Sequence, residues 1–508
     1  MTGRSDQLGA APRVAHPGCH WRLVRQCSGG TGCKQPVAPG ASKSRYLSGN
    51  AGGRRRAAGT ILIVTLWILV VLAGLVLVLA QAMRVEGVCS ANSLASQRAA
   101  AVEQGAIQYV IASLDGCTGQ APTEADLICQ GVQVGNGAFW IVRPDPDDDR
   151  QLAYGLADEG GKINLNSATD EMLSKLPDMT ADVAPAIVDW RDPDSTLTVG
   201  GAESEYYLLL AEPYECKNAP LETVEELLLV RLATRELLFG EDVNRNGVLD
   251  TNEDDADASD PPDNRDGHLD AGIAGLVTVY SREPNTAADG SPRVNVNQGQ
   301  GQELVQVLNR SVARNRVFQV MDTLRRARPF QSVIDFYFRA GLTPDEFKGI
   351  ADYITTQGGQ TVAGLLNVNT ASKKALLCLP TLEESDVSAL VAGRPAEATE
   401  ATDTTEAAEP ADIAWVANAL AEKKAIAIGP YITARSFQYS ADIVSISADG
   451  RAFKRCRIVV DAAQSPPRIL YRQDLTYLGW PLSPDVVTLL RSGAPLEEVL
   501  DTTYQETQ

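Results

Sequence analysis

The sequence predicts an α+β fold in which a long N-terminal helix packs on a small antiparallel sheet, and a large, mainly helical insertion interrupts that sheet. Three observations predict it. Thr60 to Ala80 is a 21-residue run without a charge, and apolar residues keep helical spacing beyond it as far as Leu114. Strand-forming segments lie on either side of the chain's middle, at Phe139–Val142 and between Ala441 and Val460. Between them an Asn-x-Asn pattern recurs, each time with helix signals behind it.

The apolar run comes first. At 1.5 Å per residue it is about 30 Å long, the thickness of a bilayer's hydrocarbon core. Arg54, Arg55 and Arg56 precede it, so the positive-inside rule places residues 1–59 in the cytoplasm and the rest across the membrane. A cleaved secretory signal would have a core of about 7–15 apolar residues. Here the helical pattern continues instead through Val102, Ile107, Val110 and Ile111, with no proline from Gln81 to Leu114. The expected elements are a disordered leader over 1–59 and one helix over 60–115, transmembrane in 60–80.

Charge separates these parts. Lys+Arg number 45 against 65 Asp+Glu, a net −20. The leader holds ten Lys/Arg and only Asp6, so residues 81–508 carry −29, the difference between −20 and the leader's +9. An acidic body repels phosphate backbones and gains nothing from counterion release, which argues against nucleic acid as a partner. The only histidines are His16, His20 and His268, and neither a nucleophile elbow nor H-E-x-x-H occurs, so the chain reads as no enzyme.

After the helix, residues 116–159 hold the first part of the sheet: Phe139–Val142 and Leu152–Leu156 read as strands around an Asp/Pro turn. Residues 431–508 hold the remainder, with strands at Ala441–Ser447 and Lys454–Val460 flanking the hairpin signal Asp449-Gly450. Residues 160–430 form the insertion. In it, Ile163-Asn164-Leu165-Asn166 leads into a helix with Leu173, Leu176 and then Pro177. Leu366-Asn367-Val368-Asn369 leads likewise into Leu376, Leu379 and Pro380, and Val294-Asn295-Val296-Asn297 into Leu304 and Val307. Alternation sets a short extended segment, Asn or Ser/Thr caps the helix, leucines bury one face and proline ends it. These are helix-hairpin-helix-like repeats. DNA-binding hairpins bring glycine N–H groups to phosphates, whereas these read Pro177-Asp178-Met179-Thr180 and Pro380-Thr381-Leu382-Glu383. A membrane-anchored helix-hairpin-helix DNA-uptake protein is thus the alternative reading, lacking the glycines and basic surface it requires.

One segment carries metal chemistry. Asp242, Asn244, Asn246, Asp250 and Glu253 place oxygen donors at positions 1, 3, 5, 9 and 12 of an EF-hand-type loop over 242–253. Val248 offers its carbonyl at 7, and Gly247 allows the sharp turn at 6. Calcium, a hard cation taking several oxygens, is the expected cofactor. A second stretch keeps Asn264, Asp266 and Asp270, with Pro262 at position 1 and Ile273 at position 12. It reads equally as a degenerate second site and as an acidic turn.

The basic residues, Gly59 and the uninterrupted helix resemble a type IV pilin-like precursor, and the start of the helix resembles the type II secretion system protein K family. Trp67 lies eight residues after Gly59, and Val64 stands where ordinary pilins have glutamate, a residue that this family also lacks. Ala186–Asp194, Gly201-Ala202-Glu203, Tyr214, Asn218 and Pro220 look like the family's signature stretch, and Thr223 to Leu228 reads as a capping box opening a helix. The resemblance spans roughly residues 54–480 and implies a type IV pilin-like fold. It also implies cleavage by a prepilin peptidase between Gly59 and Thr60, and a periplasmic body anchored in the inner membrane by one span. The implied function is that of a minor pseudopilin, capping a pseudopilus and helping to start its assembly. The implied partners are the other minor pseudopilins, the major pseudopilin and the inner-membrane secretion platform. Calcium is also implied in the signature stretch, where Asp192, Asp194 and Glu203 are oxygen donors. An oxidising periplasm would let Cys117 pair with Cys129. Residues 395–411, acidic and poor in large apolar side chains, read as a disordered loop.

Overall fold

The structure, a computed structural model, describes residues 58–120, 122, 127–145, 147–255, 258, 261–298, 301–395 and 412–500. Most of the leader and nearly all of the acidic loop at 395–411 lie outside the described residues. Two compact units are delimited, residues 1–78 and 79–508. Helix α1 (Ala58–Ser113) begins in the first and continues into the second. In the first unit the side chains from Thr60 to Val78 are exposed, and α1 is long and apolar enough to cross a membrane. Gly59 and Thr60 fall in its opening turn.

In the second unit α1 changes character. Ala95, Ala99, Val102, Ala106 and Val110 recur at three- and four-residue steps and are buried. Strands β1 (Val132–Val134) and β2 (Gly137–Val142) form a hairpin, with Val132 opposite Phe139. Gly137 is required there, because a Cβ would meet the Ile446 carbonyl oxygen at 2.5 Å and Val102 at 2.7 Å. The segment expected as a strand at 152–156 is only an isolated bridge between Tyr154 and Val142. Gly155, at φ +137°, turns the chain instead into the two-residue strand β3 (Ala157–Asp158).

The insertion follows. Its first unit is β4 (Ile163–Asn164), α2 (Asp170–Leu173), α3 (Val183–Arg191), α4 (Ser204–Tyr207), α5 (Arg235–Phe239) and β5 (Val277–Thr278). Strand β6 (Arg282–Pro284) leads to a second unit of β7 (Val294–Asn295), α6 (Gly301–Leu308), α7 (Arg314–Ala327), α8 (Val333–Ala340), α9 (Pro344–Lys348) and β8 (Ile354–Thr355). Strand β9 (Thr361–Ala363), which pairs with β6, leads to a third: β10 (Leu366–Asn367), α10 (Lys373–Leu377), α11 (Glu384–Gly393), α12 (Val416–Ala419), α13 (Glu422–Ile428) and β11 (Ile432–Thr433).

The repeat is physical. In each unit the opening strand pairs in parallel with the closing one: Asn164 with Thr278, Asn295 with Thr355, Asn367 with Thr433. In each, the first asparagine's Oδ1 accepts the backbone N–H of the second, at 2.8, 2.8 and 3.0 Å. The second asparagine then holds a distant backbone: Asn166 that of Leu221, Asn297 that of Phe330, Asn369 that of Ala434. Units one and three share more. Thr169 and Ser372 cap α2 and α10, and Asp178 and Thr381 take the left-handed conformation in the following turns. Arg191 binds the Leu165 and Ala168 carbonyls as Arg394 binds those of Val368 and Ala371. These two units also share one core, containing Leu173, Ile187, Leu376 and Leu390, whereas the second unit builds its own around Leu304, Val320, Phe336 and Phe347. Thr223 does not cap a helix as expected. A 3-10 turn spans Val224–Leu229, and Glu226 is drawn away to Trp190 and Lys217.

The chain then returns to the sheet through β12 (Gln438–Ser447), β13 (Phe453–Asp461) and β14 (Arg468–Asp474), followed by α14 (Pro484–Ser492). The order is β1-β2-β12-β13-β14, with β3 beside β12. All described pairings within this sheet are antiparallel, and Asp449-Gly450 makes the β12–β13 turn, Gly450 at φ +60°. Phe139, Ile141, Ile443 and Ile458 face α1, while Trp140, Val444 and Ile446 face α14 and the chain after it. Both faces are covered, so every residue of β12 is buried. The expected pairing of Cys117 with Cys129 is not made. Cys117 directs its thiol to the Gln120 carbonyl and Cys129 to that of Leu127.

At the insertion's root two carboxylates are tied into every neighbouring element. Asp158 accepts hydrogen bonds from Gly160, Ser436, Asn367 and Thr370. Glu159 accepts from Lys162, Ser440 and Thr278. A second tie is Arg455 on β13, which is fully buried. It forms a two-pronged pair with Asp442 on β12, at 2.9 and 2.6 Å, and donates to the carbonyls of Asn244 and Arg245. Removing one member of such a pair leaves an uncompensated buried charge. Arg455→Met should therefore cost about 3–5 kcal/mol in denaturant unfolding of the full chain, and adding Asp442→Leu should restore part of the loss. A cost below about 1 kcal/mol would show the tie to be idle.

Candidate metal centre

The end of α3 is fixed by packing. Trp190 stacks edge-on to Tyr207 and Tyr214 at 5.1 and 6.1 Å, and its Nε1 donates to Glu226 at 3.0 Å. Asp189 and Asp192 project from this anchored end. Asp189 is fully buried and accepts the Thr198 N–H. Glu203, 5% exposed, precedes α4 in extended backbone but does not cap it. Asn218, at φ +46°, donates through Nδ2 to the Asp194 carbonyl at 2.6 Å and to Ser195 Oγ at 3.2 Å.

These contacts leave four oxygens over. Asp192 Oδ1, both carboxylate oxygens of Glu203 and Asn218 Oδ1 are buried without a hydrogen-bond donor. Burying an ionised carboxylate with no donor costs several kcal/mol. The nearby cations are engaged elsewhere, Arg191 on carbonyls and Lys217 on Glu226 at 2.8 Å. Burial, then the charges of Asp194 and Asp189, raises the Asp192 carboxyl above its usual range. Burial, then Asp189 and Asp192, does the same to Glu203. Cys216 is pushed up to about 11 by burial, which makes it a poor thiolate ligand. The donor set is hard oxygen, which suits calcium rather than zinc.

Of the residues expected here, Asp192 and Glu203 are brought together. Asp194 stands at the exposed rim, its side chain turned to the Thr196 N–H. Asp189 and Asn218 are additions. Among the described residues no three Asp, Glu, His or Cys side chains close into a finished metal cage. Like charges without a cation repel one another, and amide and backbone oxygens complete such sites.

The loop at 242–253 is held by hydrogen bonds among its own side chains and backbone. Arg245 and Gly247 are left-handed, at φ +56° and +76°. Asp242 accepts from the N–H groups of Asn246 and Gly247, and Glu253 reaches back to those of Val243 and Asp250. Asp250 accepts from the side-chain amides of Asn244 and Asn246. Val248 donates its N–H to Asn246 Oδ1. Burial raises Asp242 to about 6 and Glu253 to about 7. Both acids are short of positive charge, and a cation held by Asp242, Asp250, Glu253 and the Val248 carbonyl would supply it.

The second stretch repeats this backbone. Arg265 and Gly267 are left-handed at +67° and +72°, and Asn264 and Asp266 accept the same two-residue turns as Asn244 and Asn246. Glu241, from outside the stretch, accepts the Asp270 N–H at 2.8 Å. Asp149 joins the two loops, its carbonyl accepting from Leu249 and its carboxylate from Leu269.

Comparison with known proteins places this region. Residues 161–239, the span that holds Asp192, Glu203 and Asn218, match the family model described as type II secretion system (T2SS), protein K. No curated protein matches the chain significantly. Among solved structures, the chain is similar to a chain in the crystal structure of the GspK–GspI–GspJ complex from the enterotoxigenic Escherichia coli type 2 secretion system. The identity is 12%, the match covers 74% of this chain and 94% of that chain, and the TM-score is 0.36. Over the matched residues the chain is similar to components of type II secretion systems. Within that class the chain resembles protein K.

The raised carboxyls make stability depend on pH. Asp242 and Glu253 bind protons more tightly folded than unfolded, so keeping them ionised opposes folding. The penalty is absent below the ordinary carboxylate range and is complete above about 7. In the presence of a chelator, the melting temperature should fall by about 2–4 °C or more as pH rises from about 5 to about 7.5. Asp242→Asn with Glu253→Gln should flatten that slope.

Proposed function

We propose that the chain is a minor pseudopilin that caps a type II secretion pseudopilus and helps to start its assembly for protein export across the outer membrane. The observation that carries this reading is the union, in one chain, of a protein K domain with an uncharged helix that runs on into a helix packed on a sheet. The uncharged segment would anchor the subunit in the inner membrane before assembly, with the body in the periplasm, and would then pack among the helices of the shaft. The insertion between β3 and β12 is bulky beside such a helix and would obstruct a further subunit stacking above it. The partners are then the other minor pseudopilins, the major pseudopilin, the prepilin peptidase and the inner-membrane platform. The role is structural rather than catalytic.

Calcium is the proposed cofactor. Asp192, Glu203 and Asn218 would hold one ion, and the loop at 242–253 another. Bound there, calcium supplies positive charge to buried oxygens that have none. The residues themselves hold α3 to α4 and hold the loop against Arg455. The DNA-uptake alternative finds no support: the hairpin turns use Asp178 and Thr381 in the left-handed position, and the body is acidic.

Two measurements test this reading. Deleting the gene from its host should abolish export of type II substrates and lower the number of pseudopili, with both restored by the intact chain. Unchanged export would refute the assignment. Isothermal titration of the full chain should show calcium binding that Asp242→Ala with Glu253→Ala weakens by about tenfold or more. Glu203→Gln should remove a separate binding event, and binding unaltered in both variants would refute the calcium assignment alone.

A further inference from the structure

Exposed apolar side chains are not spread evenly over the body. Of the fourteen large ones exposed after Leu94 among the described residues, eight fall between Leu197 and Leu232. Leu197 and Val199 lie in the loop before α4, Leu208 and Leu209 just after it, and Leu229 and Leu232 around the 3-10 turn. Val199 is 95% exposed and Leu209 87%. The three segments are laced together. Arg231 donates to the Gly200 and Gly201 carbonyls and lies 5.3 Å from the Tyr206 ring. The Tyr207 hydroxyl accepts the Arg231 N–H, and the Tyr214 hydroxyl donates to the Leu229 carbonyl. The apolar side chains therefore emerge from one rigid neighbourhood, a patch of the kind that marks an interaction site.

The exposed charges of the same stretch are mostly acidic. Asp194, Glu205, Glu212, Glu215, Glu222 and Glu236 are exposed between residues 192 and 236, against Arg235 alone among the lysines and arginines there. We propose that this surface docks a protein partner presenting an apolar anchor ringed by lysine and arginine. A second copy of the chain would bring the same acidic charges and be repelled. An anionic lipid surface would be repelled likewise. The partner's basic ring would set the approach, and burial of its anchor against Leu209 and Leu229 would set the lifetime.

The test uses the full chain in zwitterionic nanodiscs and two fluorescent peptides, one with a leucine–tryptophan core flanked by lysines, the other with the same core flanked by glutamates. By fluorescence anisotropy the lysine-flanked peptide should bind at least about tenfold tighter, and the difference should shrink at about 0.5 M salt. Leu209→Ser with Leu229→Ser, a charge-neutral change at exposed positions, should weaken it by about tenfold, whereas Phe318→Ser, exposed elsewhere, should not. Equal binding of the two peptides, or binding indifferent to the double substitution, overturns the proposal. So does a leucine-dependent attachment of the chain to zwitterionic vesicles that displaces the peptide, which would make the patch a lipid surface.

Discussion

The body of this protein depends on a junction of two adjacent carboxylates. Asp158 and Glu159 lie where β3 leaves the sheet and the insertion begins. Their hydrogen bonds reach the closing strand of the first repeat at Thr278, the opening of the third at Asn367 and Thr370, and the returning chain at Ser436 and Ser440. An insertion of this size on one exit and one entry would otherwise be free to swing. Burial opposes the charge on both acids. It raises Asp158 above its usual range in spite of its donors, whereas Lys162 and the hydroxyls hold Glu159 below its own. The junction thereby ties the first and third repeats to the sheet.

The same physics explains the candidate metal centre by contrast. At the junction every buried carboxylate oxygen meets a donor. At Asp192 and Glu203 donors are missing, although the surrounding scaffold of Trp190, Tyr207 and Tyr214 is tightly packed. The contrast between one pair of buried acids so fully satisfied and another left bare is what the proposed calcium ion would resolve. The loop at 242–253 extends this logic to the sheet, because Arg455 holds its backbone and Asp242 and Glu253 are left under-neutralised. The exposed Leu197, Leu208 and Leu209 lie close in sequence to the first site's acids.

Much of this was legible in the sequence, and the reasons differ by element. The apolar helix shows itself through composition, and the β12–β13 hairpin through Asp449-Gly450. The Asn-x-Asn repeats were visible because each asparagine has a local duty, turning the chain onto the next backbone N–H. Their closing strands were not, since Val277-Thr278, Ile354-Thr355 and Ile432-Thr433 are too short to carry a period and are fixed only by parallel pairing. Strand β14 and helix α14 went unread for a related reason: β14 lies at the sheet edge with mostly exposed side chains, so its alternation is weak. In the metal centre, residue type pointed to Asp192 and Glu203. Asp189 lay unremarked within the stretch Ala186–Asp194, and its burial is what sets it apart. Asn218 was named only with the family-signature stretch, and its left-handed backbone and bare Oδ1 emerge from the structure.

The reading of the chain as a pilin-like subunit is tested most directly at its N-terminus. Intact-mass and N-terminal analysis of the membrane-extracted protein, expressed with and without its prepilin peptidase, decides the matter. The account predicts a mature chain beginning at Thr60 only when the peptidase is present. A chain that keeps its leader under both conditions, or one cut after the apolar segment near Ala82, would contradict it, for the helix would then be a plain anchor or an export signal.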